Sequence, residues 1–296
     1  MHPTLALLLL LASAAIATPL LDAQQPLNGT HYSRPALLVQ DSGDGLSIDA
    51  DADADATAPD ACPIDTISCK GTGVNPCCSP RNGLLVLSMQ WDTRWGPSNA
   101  FTVHGLWPDT CTGKQLPANG CDPSRSYSNI SGIIQDADPS LFADMTTYWP
   151  SNKGNNDWFW THEWVKHGTC VSTLDPSCYG GGGIDEYTPK RDVLDYFRKI
   201  LELRETYDLF KALAASGIVP TEPEAGRLPK NTYTLKEFKK AIFDSWGVEP
   251  NVRCIGRRLQ EVLLWFKVRG RDNYYPVEPW GRDSCNLISY QRKSTV

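Results

Sequence analysis

Ten cysteines, all downstream of an apolar N-terminal run, are the feature that most constrains how this chain can fold. They occupy positions 62, 69, 77, 78, 111, 121, 170, 178, 254 and 285. The run from Leu5 to Ala17 ends in small residues and is too short to span a bilayer comfortably, which predicts that residues 1–17 are a secretory signal peptide. An even number of cysteines in an exported chain predicts a framework of five disulfide bridges.

The negative charge of the chain is concentrated in a leader that follows this run. Residues 18–60 contain eight aspartates and one arginine, a net charge of −7, whereas the whole chain carries −6. Residues 61–296 therefore sum to about +1. The segment DSGDGLSIDADADADATAPD has no core-forming period, which predicts a disordered leader or pro-segment. A near-neutral domain lacks the strong basic field of a high-affinity nucleic-acid binder, so recognition must come from a local site.

Residues 61–296 are predicted to form one domain, since about 235 residues lie within the range that one hydrophobic core supports. The predicted strands are Leu84–Trp91 and Gln260–Val268, and the predicted helices are Pro139–Tyr148, Asp157–Thr169, Asp192–Ala215 and Leu235–Trp246. Strands interspersed with helices, without βαβ regularity, predict an α+β fold on an antiparallel or mixed sheet. No stretch after residue 17 has the length and apolarity of a membrane helix, so we expect no membrane partner.

Two short segments, FTVHGLWPDTC (101–111) and WTHEWVKHGTC (160–170), carry three of the five histidines. These are His104, His162 and His167, and each segment ends on a cysteine. Histidine is the side chain whose unperturbed pKa lies near neutrality. Two histidines from distant segments can therefore accept a proton at one end of a reaction and deliver one at the other.

The second segment groups four ionisable side chains if it is helical. With His162 placed at 0°, Lys166 falls at about 40° and Glu163 at about 100° around the helix axis. His167 falls at about 140°, so the four groups share less than half of the helix circumference. Helical spacing is thus sufficient to gather them.

Three other interpretations compete for this cluster. A zinc-peptidase motif begins like His162-Glu163, but its second histidine stands four residues on, whereas His167 stands five residues on and its ring diverges by about 140°. A thiol protease would use Cys170, but a cysteine held in a bridge is no nucleophile. Packing of the histidines in a core would place three imidazoles beside Glu163 and Lys166, which is a costly way to build a core.

Phosphoryl transfer without a metal ion or cofactor uses every group. One imidazole removes a proton from an internal hydroxyl, and the opposite imidazole protonates the leaving oxygen. Lys166 and a protonated His162 face the charge on the phosphoryl oxygens, and Glu163 can orient a neighbouring imidazole. The 2′-hydroxyl of RNA supplies the internal nucleophile, and DNA lacks it.

The motifs HGLWPDTC and HEWVKHGTC resemble the two active-site signatures of the T2 family of acid ribonucleases, and the cysteine layout resembles its fungal secreted members. The resemblance extends from about Cys62 to Ser289. It implies a disulfide-rich α+β domain with a central antiparallel sheet flanked by helices. It also implies a secreted endoribonuclease that cleaves single-stranded RNA with low base specificity, giving a 2′,3′-cyclic phosphate and then a 3′-phosphate.

The resemblance further implies a role for each matching side chain. His104 and His167 match the acid and base pair, with His167 usually described as the base, and His162 matches the phosphate-binding histidine. Glu163 and Lys166 match the pair that stabilises the pentacovalent phosphorane. The implied base-binding residues are Trp107 and Asp109 in a first pocket and Gln90, Pro150, Ser151, Asn152 and Phe159 in a second.

The resemblance also implies the covalent framework. The implied bridges are Cys62–Cys78, Cys69–Cys111, Cys77–Cys178, Cys121–Cys170 and Cys254–Cys285. Two of them would tie the closing cysteines of both signatures to the scaffold and hold the imidazoles at a fixed separation. Sequons at Asn28 and Asn129 predict N-glycosylation of an exported protein.

A second function of a different class stays open. The same fold can serve a secreted effector or toxin-like protein that acts on other cells, with or without RNA cleavage. All five catalytic positions carry the expected residues, which argues against a relative that has lost its activity. We expect a monomer that is secreted to the medium, with the vacuole or lysosome as the alternative destination.

Overall fold

The computed structural model describes residues 62–63, 65–71, 73–180, 185–222 and 232–294. The predicted signal peptide, the acidic leader and the sequon at Asn28 lie outside the described residues. The predicted domain start at residue 61 lies outside them as well.

An antiparallel sheet is the centre of the described structure. The strands are β1 (Leu84–Gln90), β2 (Thr102–Asp109), β3 (Tyr233–Thr234), β4 (Asn251–Ile255), β5 (Arg258–Arg269), β6 (Asn273–Val277) and β7 (Leu287–Ile288). Strand β1 lies between β2 and β5, while β4 and β6 pair with successive halves of β5. Strands β3 and β7 form a separate small pair. All of these pairings are antiparallel, and the predicted α+β class is confirmed.

The alternation of side chains along β1 and β5 gives the central sheet two buried faces. One face joins the main core through Leu85, Leu87, Met89, Val262, Leu264 and Phe266. The other face carries a smaller cluster formed by Leu84, Val86, Leu263 and Trp265. Since residues two apart share a face, Gln90 and Glu261 continue the second face, where they are direct cross-strand partners. Polar side chains thus replace apolar ones at this end of the sheet.

Helices pack against the sheet through its main-core face. They are α1 (Ile130–Ala137), α2 (Pro139–Tyr148), α3 (Asn156–Lys166), α4 (Arg191–Thr206), α5 (Leu209–Ala215) and α6 (Leu235–Trp246). The predicted bounds of α2 and α6 are confirmed. Helix α6 begins with a capping box between Thr234 and Glu237, which satisfies free N–H groups of its first turn. No helix within the described ranges has both the length and the apolarity needed to span a membrane.

The prediction of one long helix from Asp192 to Ala215 is wrong. Helix α4 ends at Thr206, and α5 begins at Leu209. Asp208 lies between them in an extended conformation, and its carboxylate accepts a hydrogen bond from the Lys211 backbone N–H. Aspartate stabilises a helix better as the N-cap than in its interior, because there its side chain accepts from the unsatisfied N–H groups.

Five disulfide bridges connect the described residues, and they are the pairs that the family resemblance implies. They join Cys62 to Cys78, Cys69 to Cys111, Cys77 to Cys178, Cys121 to Cys170, and Cys254 to Cys285. Cys111 follows the end of β2, and Cys170 follows the end of α3. The bridges therefore anchor both segments that carry the predicted catalytic histidines.

Candidate active site

A β-bulge places the side chain of His104. On β2, Gly105 pairs with Ser88 and Val103 pairs with Met89, so His104 is the extra residue without a partner on β1. The Trp149 indole N–H donates a hydrogen bond to the His104 carbonyl oxygen at 3.0 Å. Bulges redirect side chains and recur beside active sites. Here the bulge accompanies a half-exposed histidine on a mostly buried strand.

A carboxylate from the central sheet holds the His104 ring. Oε1 of Glu261 lies 2.5 Å from Nδ1 of His104, and the two side chains are 20% and 32% exposed. Sequence reasoning missed Glu261, which lies 157 residues from His104 in the chain. The available signal was the alternation along β5, which puts Glu261 on the face that carries the smaller apolar cluster. Nothing in the spacing of the motifs connects it to a histidine.

Helix α3 carries the second histidine segment. The Asn155 side chain accepts from the Trp158 backbone N–H and caps the first turn. The helix ends at Lys166 rather than at the predicted Thr169, and a 3₁₀ turn follows from Gly168 to Cys170. His167 is the C-cap, and its backbone N–H still donates to the Glu163 carbonyl oxygen. The predicted helical clustering therefore applies from His162 to Lys166, and His167 extends from the cap.

Glu163 is the most buried ionisable side chain of the cluster. It is 1% exposed, and its Oε2 accepts a hydrogen bond from the Trp107 indole N–H at 3.0 Å. Burial raises the pKa of Glu163 to about 7, against the opposing effects of His104, the Trp107 hydrogen bond and Lys166. The carboxyl group also lies directly against Gly105, where any Cβ would overlap with Oε2. Strand β2 and helix α3 thus meet at a site that accepts glycine alone.

The Trp107 ring contacts two imidazoles. The His104 ring meets it edge-on at 5.0 Å between centroids, and the His167 ring is stacked at 5.6 Å and 29°. The His162 ring lies 6.5 Å from that of His167 and is stacked on Trp158 at 5.7 Å. The structure thus brings together the three histidines that the sequence singled out. It places Trp107 among them, although the resemblance implied a role for this residue in base binding.

The three imidazoles have different proton affinities. Burial lowers the pKa of His167 to about 3, and Lys166 and the other two histidines add to the effect. Burial and Lys166 also lower the pKa of His162. Burial alone would lower the pKa of His104, but the hydrogen bond to Glu261 and the charges of Glu163 and Glu261 outweigh it and raise this pKa. Because Glu163 is largely protonated at acid pH, Glu261 is then the main cause of the raised pKa of His104.

A cavity of about 280 Å³ opens beside His104 and His162. The other lining residues are Gln90, Ser151, Asn152, Lys153, Trp158, Phe159, Glu163, Gln260 and Glu261. Four members of the predicted second base pocket, Gln90, Ser151, Asn152 and Phe159, are therefore brought to the histidines. Lys153, Trp158 and Gln260 were not predicted; Trp158 is 55% exposed, and the Lys153 Nζ lies over its ring.

Other predicted residues lie outside the lining of this cavity. They are Pro150 of the second pocket, Trp107 and Asp109 of the first pocket, and Lys166 and His167. Asp109 is buried at the end of β2 opposite Leu84, and burial raises its pKa. Among the described residues, no three His, Cys, Asp or Glu side chains are grouped closely enough to hold a metal ion.

Comparisons with known proteins agree with this fold. The model of the ribonuclease T2 family matches residues 76–273. Ribonuclease Rh of Rhizopus niveus is 44% identical over 231 residues, which cover 78% of this chain and 91% of that protein. Ribonuclease T2 of Aspergillus oryzae is 37% identical over 251 residues, 79% of this chain and 85% of that protein. The crystal structure of Actibind, a T2 ribonuclease, superposes with a TM-score of 0.70 and 34% identity, covering 81% of this chain and all of that one.

The α+β fold, the cluster of histidines and the similarity to these ribonucleases together define the class: an RNA-cleaving enzyme. The chain belongs to the ribonuclease T2 family, and it is an endoribonuclease of the T2 type.

Proposed function

We propose that the protein is a secreted endoribonuclease that cleaves single-stranded RNA by internal transesterification at the cluster of His104, His162 and His167. One observation carries the proposal: the Trp107 ring contacts the imidazoles of both His104 and His167, so side chains from separate segments flank one site. An acid and a base held in this way can act on the same phosphodiester.

The directions of the pKa shifts support one division of the two roles. His167, whose pKa is lowered to about 3, is neutral at ordinary pH and can accept a proton. His104, whose pKa is raised, keeps its proton to higher pH and can donate it. This assignment makes His167 the base and His104 the acid of the cleavage step.

In the cleavage step, the 2′-hydroxyl gives its proton to His167 and its oxygen attacks the adjacent phosphorus. A P–O2′ bond forms, the P–O5′ bond breaks, and His104 gives its proton to the departing O5′. The products are a 2′,3′-cyclic phosphate and a 5′-hydroxyl. His104 is then neutral and His167 is protonated.

In the second step, the roles reverse and the enzyme is restored. Water gives a proton to neutral His104 and attacks the phosphorus of the cyclic phosphate. The P–O2′ bond breaks, and protonated His167 returns a proton to O2′. The product is a 3′-phosphate.

His162 and Lys166 are proposed to bind the phosphate, and Glu163 to support the phosphorane. His162 and Lys166 are one helical turn apart on α3, so their side chains project to the same side. Below its pKa of about 7, Glu163 is protonated and adds no negative charge beside the phosphate. Fixed donors and positive charge at this position stabilise the transition state more than the substrate.

The bases on either side of the scissile bond are proposed to occupy different surfaces. Gln90, Ser151, Asn152 and Phe159 line the cavity next to the catalytic cluster, which supports their role as the second base pocket together with Pro150. Trp107 and Asp109 are proposed for the first. Stacking on aromatic rings tolerates every base, in keeping with low base specificity.

We also propose the domain organisation, oligomeric state and destination of the enzyme. Residues 1–17 are proposed as the signal peptide, 18–60 as the acidic leader and 61–296 as the catalytic domain, which acts as a monomer without a metal ion or cofactor. Asn129 is exposed at the start of α1, where a glycan can be attached. Secretion to the medium is proposed, with the vacuole as the alternative.

A secreted effector that acts on other cells remains a second candidate, but no observation on the structure favours it. A cellular assay that compares the wild type with His104→Phe separates the two. Equal effects of both proteins would assign the cellular role to the surface rather than to RNA cleavage.

The proposed function is tested by incubating the purified protein with poly(A), poly(U), poly(C) and single-stranded DNA in the presence of EDTA. We expect cleavage of every RNA, intact DNA, and 2′,3′-cyclic phosphate termini that convert slowly to 3′-phosphates. Loss of cleavage on chelation, or termini with a free 3′-hydroxyl, would overturn the proposal.

A further inference from the structure

We propose that Glu261 is the positioning residue for His104, holding the imidazole by Nδ1 so that Nε2 delivers the proton to the leaving oxygen. The inference rests on the proposed function, in which His104 is the acid. No motif of the sequence includes Glu261, and it enters the site from a strand remote from both histidine segments.

The backbone fixes both partners of this hydrogen bond. Glu261 lies in the middle of the sheet, where it pairs with Gln90 on β1 and with Arg253 on β4. His104 is held by the bulge on β2 and by the bond from Trp149 to its carbonyl oxygen. The 2.5 Å contact between the Glu261 carboxylate and Nδ1 therefore joins two side chains whose Cα atoms have little freedom to move.

The carboxylate determines which ring nitrogen serves the substrate. A carboxylate is an acceptor only, so Nδ1 must carry a hydrogen in both the neutral and the protonated ring. The proton that His104 gains and loses is then the one on Nε2. This arrangement orients the ring and selects the tautomer, as carboxylate partners of histidines do elsewhere in proteins.

Titratable and charged side chains of both signs surround His104. They are Glu261 on β5, Lys153 in the loop before α3, and His162, Glu163, Lys166 and His167 on α3 and its C-cap. Arg253 on β4 is the cross-strand partner of Glu261. The positive charge of Lys166 disfavours protonation of His104. Glu163 is buried and protonated at acid pH, so the Glu261 carboxylate is the group that stabilises the imidazolium where the acid must act.

The sign of the expected pH effect follows from this arrangement. Cleavage requires protonated His104, so kcat/KM falls as the pH rises through the pKa of His104. Removing the Glu261 carboxylate lowers this pKa, and the descending limb of the profile moves to lower pH. A role of Glu261 in folding alone would reduce the amount of active enzyme at every pH and leave the limb in place.

The experiment measures kcat/KM against pH for the wild type, Glu261→Gln, Glu261→Ala and His104→Phe, with Glu249→Gln as the matched control. Glu249 pairs with Lys239 away from the cavity, so its change removes one carboxylate charge without contact to His104. We expect Glu261→Gln to lose about ten- to a hundredfold at the optimum, less than loss of a whole general acid, and its descending limb to shift to lower pH. Glu261→Ala should lose more, since the glutamine retains an acceptor oxygen, and Glu249→Gln should match the wild type.

The outcomes distinguish failure of the proposed function from failure of the inference about Glu261. If His104→Phe cleaves RNA at the wild-type rate, the proposed function fails. If His104→Phe is inactive but Glu261→Gln keeps the wild-type limb, only the inference about Glu261 fails. NMR titration of the His104 ring in the wild-type protein gives an answer even if the variants do not fold: a protonated Nδ1 and a titrating Nε2 support the inference, and a titrating Nδ1 overturns it.

Discussion

The indole N–H of Trp107 donates a hydrogen bond to the buried carboxyl group of Glu163 at 3.0 Å, and this bond joins the two segments that carry the proposed catalytic histidines. Trp107 belongs to β2 and Glu163 to α3. The same indole ring contacts His104 and His167. One side chain thus contacts the proposed acid, the proposed base and the buried carboxyl group of Glu163.

We predict that Trp107→Phe keeps the fold but impairs cleavage. The phenyl ring replaces the apolar contacts, whereas the buried Glu163 carboxyl group loses its donor, at a cost of about 1–3 kcal/mol. Thermal unfolding and kcat of the variant measure the two effects. Trp91→Phe is the matched control, since it removes a similar indole bond, at 2.7 Å, to the Gln291 carbonyl oxygen, and Trp91 belongs to the main core rather than to the small cluster against which Trp107 packs. We expect the control to lose stability with kcat unchanged, and equal kcat values for both variants would contradict this role of Trp107.

Gly105→Ala is predicted to be far more damaging than its size suggests. The added methyl group would overlap with Oε2 of Glu163 and crowd the Trp107 indole nitrogen. Either the carboxyl group or the strand must move, and we expect activity to fall by at least tenfold together with a clear loss of thermal stability. The control is Ser88→Ala on the paired strand, whose buried hydroxyl finds no hydrogen-bond partner among the described residues. A Gly105→Ala variant as active as Ser88→Ala would argue against this close approach.

The bridge between Cys121 and Cys170 is predicted to matter for catalysis as well as for stability. It closes a separation of 49 residues, and a chain-entropy argument gives about 4 kcal/mol for a loop of this size. Its loss also frees the chain three residues after His167. We expect the Cys121→Ser/Cys170→Ser variant to lower both Tm and kcat of the remaining folded enzyme.

The bridge between Cys62 and Cys78 provides the comparison for that variant. It closes 16 residues and is worth about 3 kcal/mol by the same argument. Its removal should lower Tm to a similar extent and leave kcat of the folded fraction unchanged. If both double variants lose kcat equally, the Cys121–Cys170 bridge has no special role in holding His167.

Much of the fold follows from sequence features that act locally. Apolar periodicity was sufficient to predict α2, α6 and the strands β1 and β5, and the histidine motifs identified the segments that form the site. The prediction of one helix from Asp192 to Ala215 was wrong because the apolar pattern continues on both sides of Asp208. In the structure, Asp208 is the N-cap of α5. The base pockets and catalytic roles stay predictions that the variants must test.

The features that could not be predicted from the sequence depend on pairing between strands that are distant in the chain. His104 is the extra residue in β2 only relative to the register of β1. Glu261 reaches His104 because β1 lies between β5 and β2, an order that no local pattern specifies. Predicting Trp158 and Lys153 would have required knowing that the first turn of α3 and the loop before it border the cavity.

Glu163 and His167, two buried ionisable groups, should give the stability of the protein an unusual dependence on pH. The pKa of Glu163 is raised to about 7 in the folded state, so its contribution to the free energy of unfolding is fully present below the unfolded pKa of 4.5 and is lost as the pH rises toward 7. The pKa of His167 is lowered to about 3 in the folded state, so its contribution to the free energy of unfolding is fully present above the unfolded pKa of 6.5 and is lost as the pH falls toward 3. The two slopes oppose each other between about pH 4.5 and 6.5 and nearly cancel.

Denaturant unfolding at several pH values tests this cancellation. Glu163→Gln removes one slope and should make stability rise with pH across the window, by at most about 1.4 kcal/mol per pH unit. His167→Phe removes the other and should make stability fall with pH. Parallel curves for the two variants would contradict the proposed protonation states.

The most direct test of His104 as acid and His167 as base is single-turnover cleavage of two RNA dinucleotides, one natural and one with sulfur in place of the bridging O5′. A thiolate leaves without a proton because thiols are far more acidic than alcohols, whereas the 2′-hydroxyl must still lose its proton. We predict that His104→Phe is slow on the natural substrate, by about 10²–10⁴-fold, and close to the wild type on the sulfur substrate, while His167→Phe is slow on both. Equal losses for His104→Phe on the two substrates, or rescue of His167→Phe instead, would contradict the assignment.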